Sequence, residues 1–159
     1  MLFKDVLVDE ELKRQLVALA DENRISHAQL FLGRNGSHSF ALALAFAQYI
    51  CCTDRHDGDS CGQCHSCKMF EKLQHPDLHF AFPIVKGDNG DVCDEFVDKF
   101  REMVLEGVYF DLDDWYRRMG VETKQGMIYE KESSEILRKL SLKSFGDGYK
   151  VMIIWQPEK

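Results

Sequence analysis

The chain has 159 residues, 45% hydrophobic and 30% charged, the balance of a folded domain that buries its own core without staples. Against 27 Asp and Glu stand 20 Lys and Arg, and the resulting formal net charge of −7 excludes wrapping nucleic acid by bulk charge. The most apolar run, FALALAFAQYICC from Phe40 to Cys52, is too short to cross a bilayer, and the N-terminus has no basic start followed by an apolar stretch. These features predict a cytoplasmic protein with no membrane partner, whose 6 cysteines meet a reducing environment that favours metal binding over disulfides.

In chain order, Asp9 is positioned to cap a first helix that runs to about Glu22, with Leu12, Leu16 and Leu19 on one face. Ala28 to Leu32 (AQLFL) reads as a buried strand ending at Gly33. The loop GRNGSHS and the apolar helix from Phe40 follow, the order that opens a βα unit. A short helix over Cys64–Leu73 leads to His75-Pro76-Asp77 and a second strand, Leu78–Phe82, closed by Pro83. Two amphipathic helices come next. Asp91–Glu106 puts Val92, Phe96, Phe100 and Met103 on one face and stops at Gly107, while Asp111–Met119 aligns Leu112, Trp115, Tyr116 and Met119. They read as a helical hairpin inserted over 84–126, between the loop KGDNGD and a polar connection from Glu122 to Gly126. Ser133 or Ser134 starts a further helix, with Ile136, Leu137 and Leu140 inward. After the turn GDG at 146–148, YKVMIIW (Tyr149–Trp155) is an apolar last strand, and a buried strand so near Lys159 predicts that the chain is part of a longer protein.

Within 51–68, Cys52, Cys61, Cys64 and Cys67 follow C-x8-C-x2-C-x2-C. Each Cys-x2-Cys turn brings two sulfurs to one side of an ion, and the DRHDGDS loop is long enough to return a fourth ligand. Cys51 and His56 compete with Cys52 for that fourth place. Four protein ligands leave no open position, so the site is expected to hold structural zinc rather than catalyse hydrolysis. Cys93 reads as a small buried side chain and His65 as solvent-facing.

The loop Gly33-Arg34-Asn35-Gly36-Ser37-His38-Ser39-Phe40 has the place and length of a phosphate-binding loop, G-x-x-x-x-G-K-[ST]. Gly33 matches, but His38 replaces the second Gly, Ser39 the Lys and Phe40 the hydroxyl that holds Mg²⁺. After VMII, Trp155-Gln156 stands where an ATPase keeps a metal-holding carboxylate. No ATPase activity is expected of the chain, and ATP is not an expected cofactor. Backbone amides of Gly33, Asn35, Gly36, Ser37, His38 and Ser39 remain candidates for weak anion binding. The simpler reading is a turn that joins strand to helix.

FKDV, RISHAQLFLG, the degenerate loop, CGQCHSC, HPDLHF and YKVMIIW, in that order, resemble the N-terminal AAA+ module of bacterial DNA polymerase III clamp-loader subunits, most closely the delta-prime type. The resemblance covers about 1–83 and 127–159 and leaves 84–126 as a lineage-specific insertion. It implies an α/β, P-loop NTPase (AAA+)-type parallel sheet flanked by helices, carrying a zinc-binding and a helical insertion. It also implies zinc on Cys52, Cys61, Cys64 and Cys67. The implied role is that of a non-hydrolysing subunit in loading the sliding clamp on primed DNA. Its implied partners are gamma/tau and delta subunits, with clamp and primed DNA reached through the assembled complex. Two alternatives stand beside it. An ATP-hydrolysing gamma/tau-type subunit would need the missing Lys and Thr, and a zinc-based nucleic-acid module would need cations where Asp54, Asp57 and Asp59 outnumber Arg55 and Lys68.

Overall fold

The computed structural model describes residues 1–34, 37–87, 91–121, 124–145 and 148–159. The chain forms two compact units, Met1–His75 and Pro76–Lys159.

The first unit is helical. After a 3-10 turn at Phe3–Asp5 comes α1 (Glu10–Asp21), whose N-cap Asp9 accepts a hydrogen bond from the Glu11 amide. Its buried face is Lys13, Leu16 and Ala20, while Leu12, expected inward, is 41% exposed. The helix α2 (Ser39–Cys51) is buried nearly all round, as its unbroken apolar sequence requires. It packs against α1 and α3 (His65–Glu71). The strand expected at 28–32 is not formed. Leu30 and Leu32 are 73% and 84% exposed, and the described residues of this unit offer no strand edge for the run to pair with. An apolar pentapeptide has β potential, but a strand exists only with a ladder partner.

The second unit is mixed α/β. β1 (Leu78–Ala81) and β2 (Val151–Ile154) form a parallel pair with Leu78 opposite Val151 and Ala81 opposite Ile154. Backbone bonds from Val151 N to Asp77 O and from Trp155 N to Ala81 O extend the ladder at 2.8 Å each. Both strands are shorter than the sequence suggests. The expected single helix over 91–106 divides into a 3-10 turn (Cys93–Glu95) and α4 (Val97–Glu106). α5 (Leu112–Met119) begins with a capping box in which Asp111 and Asp114 accept each other's backbone N–H, and ends at Gly120 with φ of 73°. Phe96, Phe100, Met103, Trp115, Tyr116 and Met119 are buried, while Val92 and Leu112 stay half-exposed.

Residues 84–126 are closed at their base. Ile84 and Met127 exchange both backbone hydrogen bonds, at 3.1 and 3.0 Å. Trp115 Nε1 donates to Pro83 O at 2.7 Å, and the Tyr116 hydroxyl accepts from Gly126 N and donates to Gly126 O. Phe100 lies at the centre of an aromatic core. It stacks on Phe82 at 4.1 Å and 10°, with Trp115, Phe110, Phe80 and Trp155 within 6 Å around it.

α6 (Glu130–Ser141) starts earlier than Ser133 and turns a different face inward. Glu132 and Lys139 are buried; Leu137 is 69% and Leu140 43% exposed, and Ile136 is half-buried. Tertiary partners decide this rotation. Glu132 Oε2 accepts the Cys93 amide at 2.8 Å, and Lys139 pairs with Asp94. No helix among the described residues is long and apolar enough to cross a membrane.

Candidate metal centre

Three local structures place the four cysteines. Cys52 is the C-cap of α2, so a buried helix delivers it. Cys64 is the N-cap of α3, its sulfur accepting from Cys67 N at 3.4 Å, and Cys67 lies in the first turn. Cys61 is set by Gly62, whose φ of 68° is a conformation side chains disfavour. That turn points the Cys64 and Gln63 amides at the Cys61 sulfur, at 3.2 and 3.4 Å. The connection from Thr53 to Ser60, read from the sequence only as long enough to return a ligand, is a tight hairpin. His56 and Asp59 pair through two backbone bonds, and Asp57-Gly58 between them has positive φ at both residues, as a type I′ turn demands.

The sulfurs of Cys52, Cys61, Cys64 and Cys67 lie within 4.8 Å of one another. Cys52–Cys61 is 3.6 Å; Cys52–Cys64 and Cys61–Cys67 are 4.0 Å. A tetrahedral thiolate site with Zn–S bonds near 2.3 Å needs sulfur separations of about 3.8 Å, and this set fits that span. The donor chemistry fits as well. Burial raises the Cys64 thiol, but amides of Cys67 and Thr53 outweigh it and bring the group down to about 6. Burial pushes Cys52 and Cys67 up, so without a cation these two resist ionising. A bound dication reverses that preference. The rival ligands lie apart from this set. Cys51 is a separate buried thiol, and the His56 side chain is 58% exposed beside Asp57. His65 is exposed, and Cys93, buried in the second unit, exchanges hydrogen bonds with the Phe82 backbone.

In the degenerate loop, Asn35 and Gly36 lie outside the described residues. Around them the chain folds tightly onto the start of α2. A Cβ on Gly33 would stand 2.0 Å from Ser37 Oγ and 3.0 Å from Ser39, so a larger residue there would make the two serine side chains shift. Ser37 Oγ accepts from Ser39 N at 3.4 Å and donates to Ser39 Oγ at 3.1 Å, so a side chain occupies the first helical amide. His38 is the N-cap residue of α2, without a side-chain capping bond, and Phe40 points into the core at 7% exposure. In the second unit Trp155 is buried, 5.0 Å from Phe110 and 5.9 Å from Phe100. Sequence reasoning noted only what Trp155 lacks and missed the core it completes. It also missed Asp59, whose carboxylate accepts from Phe3 N, Lys4 N and Ser60 N at 2.9, 3.0 and 2.7 Å. No local sequence signal marked it, since its main partners lie 55 and 56 residues away.

Comparison with known proteins gives the context. The family described as "DNA polymerase III, delta subunit" matches residues 8–159. The delta' subunit of Yersinia pestis is 31% identical over 97 residues, 59% of this chain and 28% of that protein. The delta' subunit of Bacillus subtilis is 36% identical over 63 residues, 40% of this chain and 19% of that protein. A tau/gamma subunit of Haemophilus influenzae is 33% identical over 76 residues, 48% of this chain and 11% of that protein. The chain thus spans less than a third of the length of these curated relatives. No solved structure gives a significant match. With nearly its whole length inside one family's pattern, the chain belongs to the DNA polymerase III delta subunit family, among the clamp-loader subunits of delta' type.

Proposed function

We propose that the chain is the P-loop-type (AAA+) portion of a non-hydrolysing, delta'-like clamp-loader subunit that holds structural zinc on Cys52, Cys61, Cys64 and Cys67. In this reading it works in the cytoplasm beside gamma/tau and delta subunits, and through the assembled complex helps place the sliding clamp on primed DNA. Its contribution is mechanical, a stable wall against which an ATP-binding neighbour closes. The observation that carries the non-hydrolysing half is Trp155. The position that would hold a metal-binding carboxylate is filled by a ring buried among Phe100 and Phe110. Ser39 and Phe40 support it independently, since Ser39 lacks the cation of the loop Lys and the buried Phe40 lacks the hydroxyl that holds Mg²⁺. Any residual anion binding by Gly33, Asn35, Gly36, Ser37, His38 and Ser39 would rest on backbone amides alone.

The match to a tau/gamma subunit keeps an ATP-hydrolysing rival in view. Two measurements on the full-length protein decide. Mg²⁺-dependent ATP turnover by the purified subunit would overturn the non-hydrolysing reading. A pull-down that recovers no gamma/tau or delta subunit would overturn the clamp-loader role.

A further inference from the structure

The hairpin between Cys52 and Cys61 does more than join two ligands. Its last turn presents Asp59 to the start of the chain. One carboxylate oxygen accepts from Phe3 N at 2.9 Å and the other from Lys4 N at 3.0 Å, capping the 3-10 turn Phe3–Asp5 from outside. These are charge-assisted bonds to amides that have no partner within their own turn. Gly62, between two of the cysteines, lies against Leu2, its Cβ direction 3.7 Å from both Leu2 methyl carbons. Phe3 is buried, 5.5 Å from the Tyr49 ring, and Val6 is buried beside it in sequence. Tyr49 donates to Asp21, and Arg55, from the same hairpin, sits over the Tyr49 ring and pairs with Asp21 at 3.5 Å. Residues 2–6 are thus held on the metal-site loop at Asp59 and Gly62, and on α2 at Tyr49.

We propose that the metal loop is a latch for the N-terminal segment. Ligation fixes Cys52 and Cys61, the two ends of the hairpin, at the separation that aims Asp59 at the Phe3 and Lys4 amides, so metal occupancy sets whether residues 2–6 stay docked. The inference rests on the four-cysteine metal reading and extends it to a segment that contributes no ligand. Nothing else local holds those two amides. The turn leaves both N–H groups free of backbone partners, and a hairpin released at its ends loses the geometry that supplies a substitute.

The test is amide hydrogen exchange on the protein, with zinc content measured alongside. Peptides from residues 1–8 are compared with those from α2. The samples are wild type with zinc, wild type stripped by a chelator, and zinc-loaded Asp59→Ala and Asp59→Asn. The expected result is that Asp59→Ala keeps one zinc per chain, while the Phe3 and Lys4 amides exchange roughly tenfold faster or more. Asp59→Asn, which keeps one acceptor, should fall between. Stripping zinc from wild type should release the same amides with α2 still protected, and stripping the Ala variant should add nothing there. Unchanged exchange at residues 1–8 in Asp59→Ala overturns the proposal, as does retained protection there after stripping, or loss of α2 protection in the same step. A wild-type chain that takes up no zinc overturns the metal reading itself, and the coupling falls with it.

Discussion

Trp155→Asp would place at β2's end the carboxylate that the proposed non-hydrolysing reading says is missing, and the structure predicts that the second unit cannot accept it. The ring is 8% exposed and touches Phe110 and Phe100. Deleting a buried Trp side chain costs about 3–5 kcal/mol. A carboxylate in the same space has no cation partner among the aromatic rings, so it adds several kcal/mol more or stays protonated. Against a typical domain stability of about 5–15 kcal/mol, the sum is enough to unfold the unit or nearly so. Trp155→Phe is the control, with an expected loss of about 1–2 kcal/mol. The sequence contains 2 Trp residues, so either variant leaves Trp115 as the sole indole, reporting from the same core. Urea titration followed by Trp115 fluorescence should place the Asp variant far below the Phe variant, or show it unfolded without denaturant. An Asp variant as stable as the Phe variant would refute the claim that this ring has a structural task.

Cys64→Ser should abolish stoichiometric zinc in elemental analysis and lower the melting temperature, because metal affinity and folding are coupled; an unchanged zinc content would show that the four sulfurs are not the ligand set. Trp115→Phe keeps a ring in the core but strips Pro83 O of its 2.7 Å donor, and should cost about 1–3 kcal/mol in chemical denaturation. Burial first, and then the Asp21 hydrogen bond, raise Tyr49 from 10.0 to about 12. The folded state therefore holds this proton more tightly than the unfolded state. Its contribution is complete below pH 10 and falls away as pH rises towards 12, on the order of 2 kcal/mol in all. Tyr49→Phe should flatten that part of the stability profile relative to wild type, and identical profiles would argue against the buried phenol.

The reach of sequence reading differs sharply along this chain. The helix α2 was legible because thirteen residues from Ser39 to Cys51 contain no charge, so no orientation had to be chosen. The α5 register was legible because the local pattern and the buried rings Trp115 and Tyr116 agree. The four cysteines come together as their spacing implies, since short turns leave them little freedom. α6 was misread because its orientation is set from a distance. Glu132 is drawn inward by the Cys93 amide and Lys139 by Asp94, and neither partner lies within 35 residues of α6 in a way periodicity can report. Residues 28–32 failed for the opposite reason, a strong local signal with no strand partner among the described residues of its own unit. Asn35, Gly36 and the GDG turn at Gly146 and Asp147 lie outside the described residues, so those readings stay with the sequence.

The paired backbone bonds between Ile84 and Met127 set the two feet of the helical stretch only about 5.5 Å apart, the separation across a hydrogen-bonded antiparallel pair. A gap that narrow can be bridged by a two-residue turn, so some forty residues could be excised and the flanking chain rejoined without moving β1. The scar would not be clean, because Phe82 and Trp155 would be stripped of Phe100, Phe110 and Trp115 and left facing water. A working graft would need new side chains at both positions, which makes the presence of this stretch and the identity of residues 82 and 155 a single, correlated design choice.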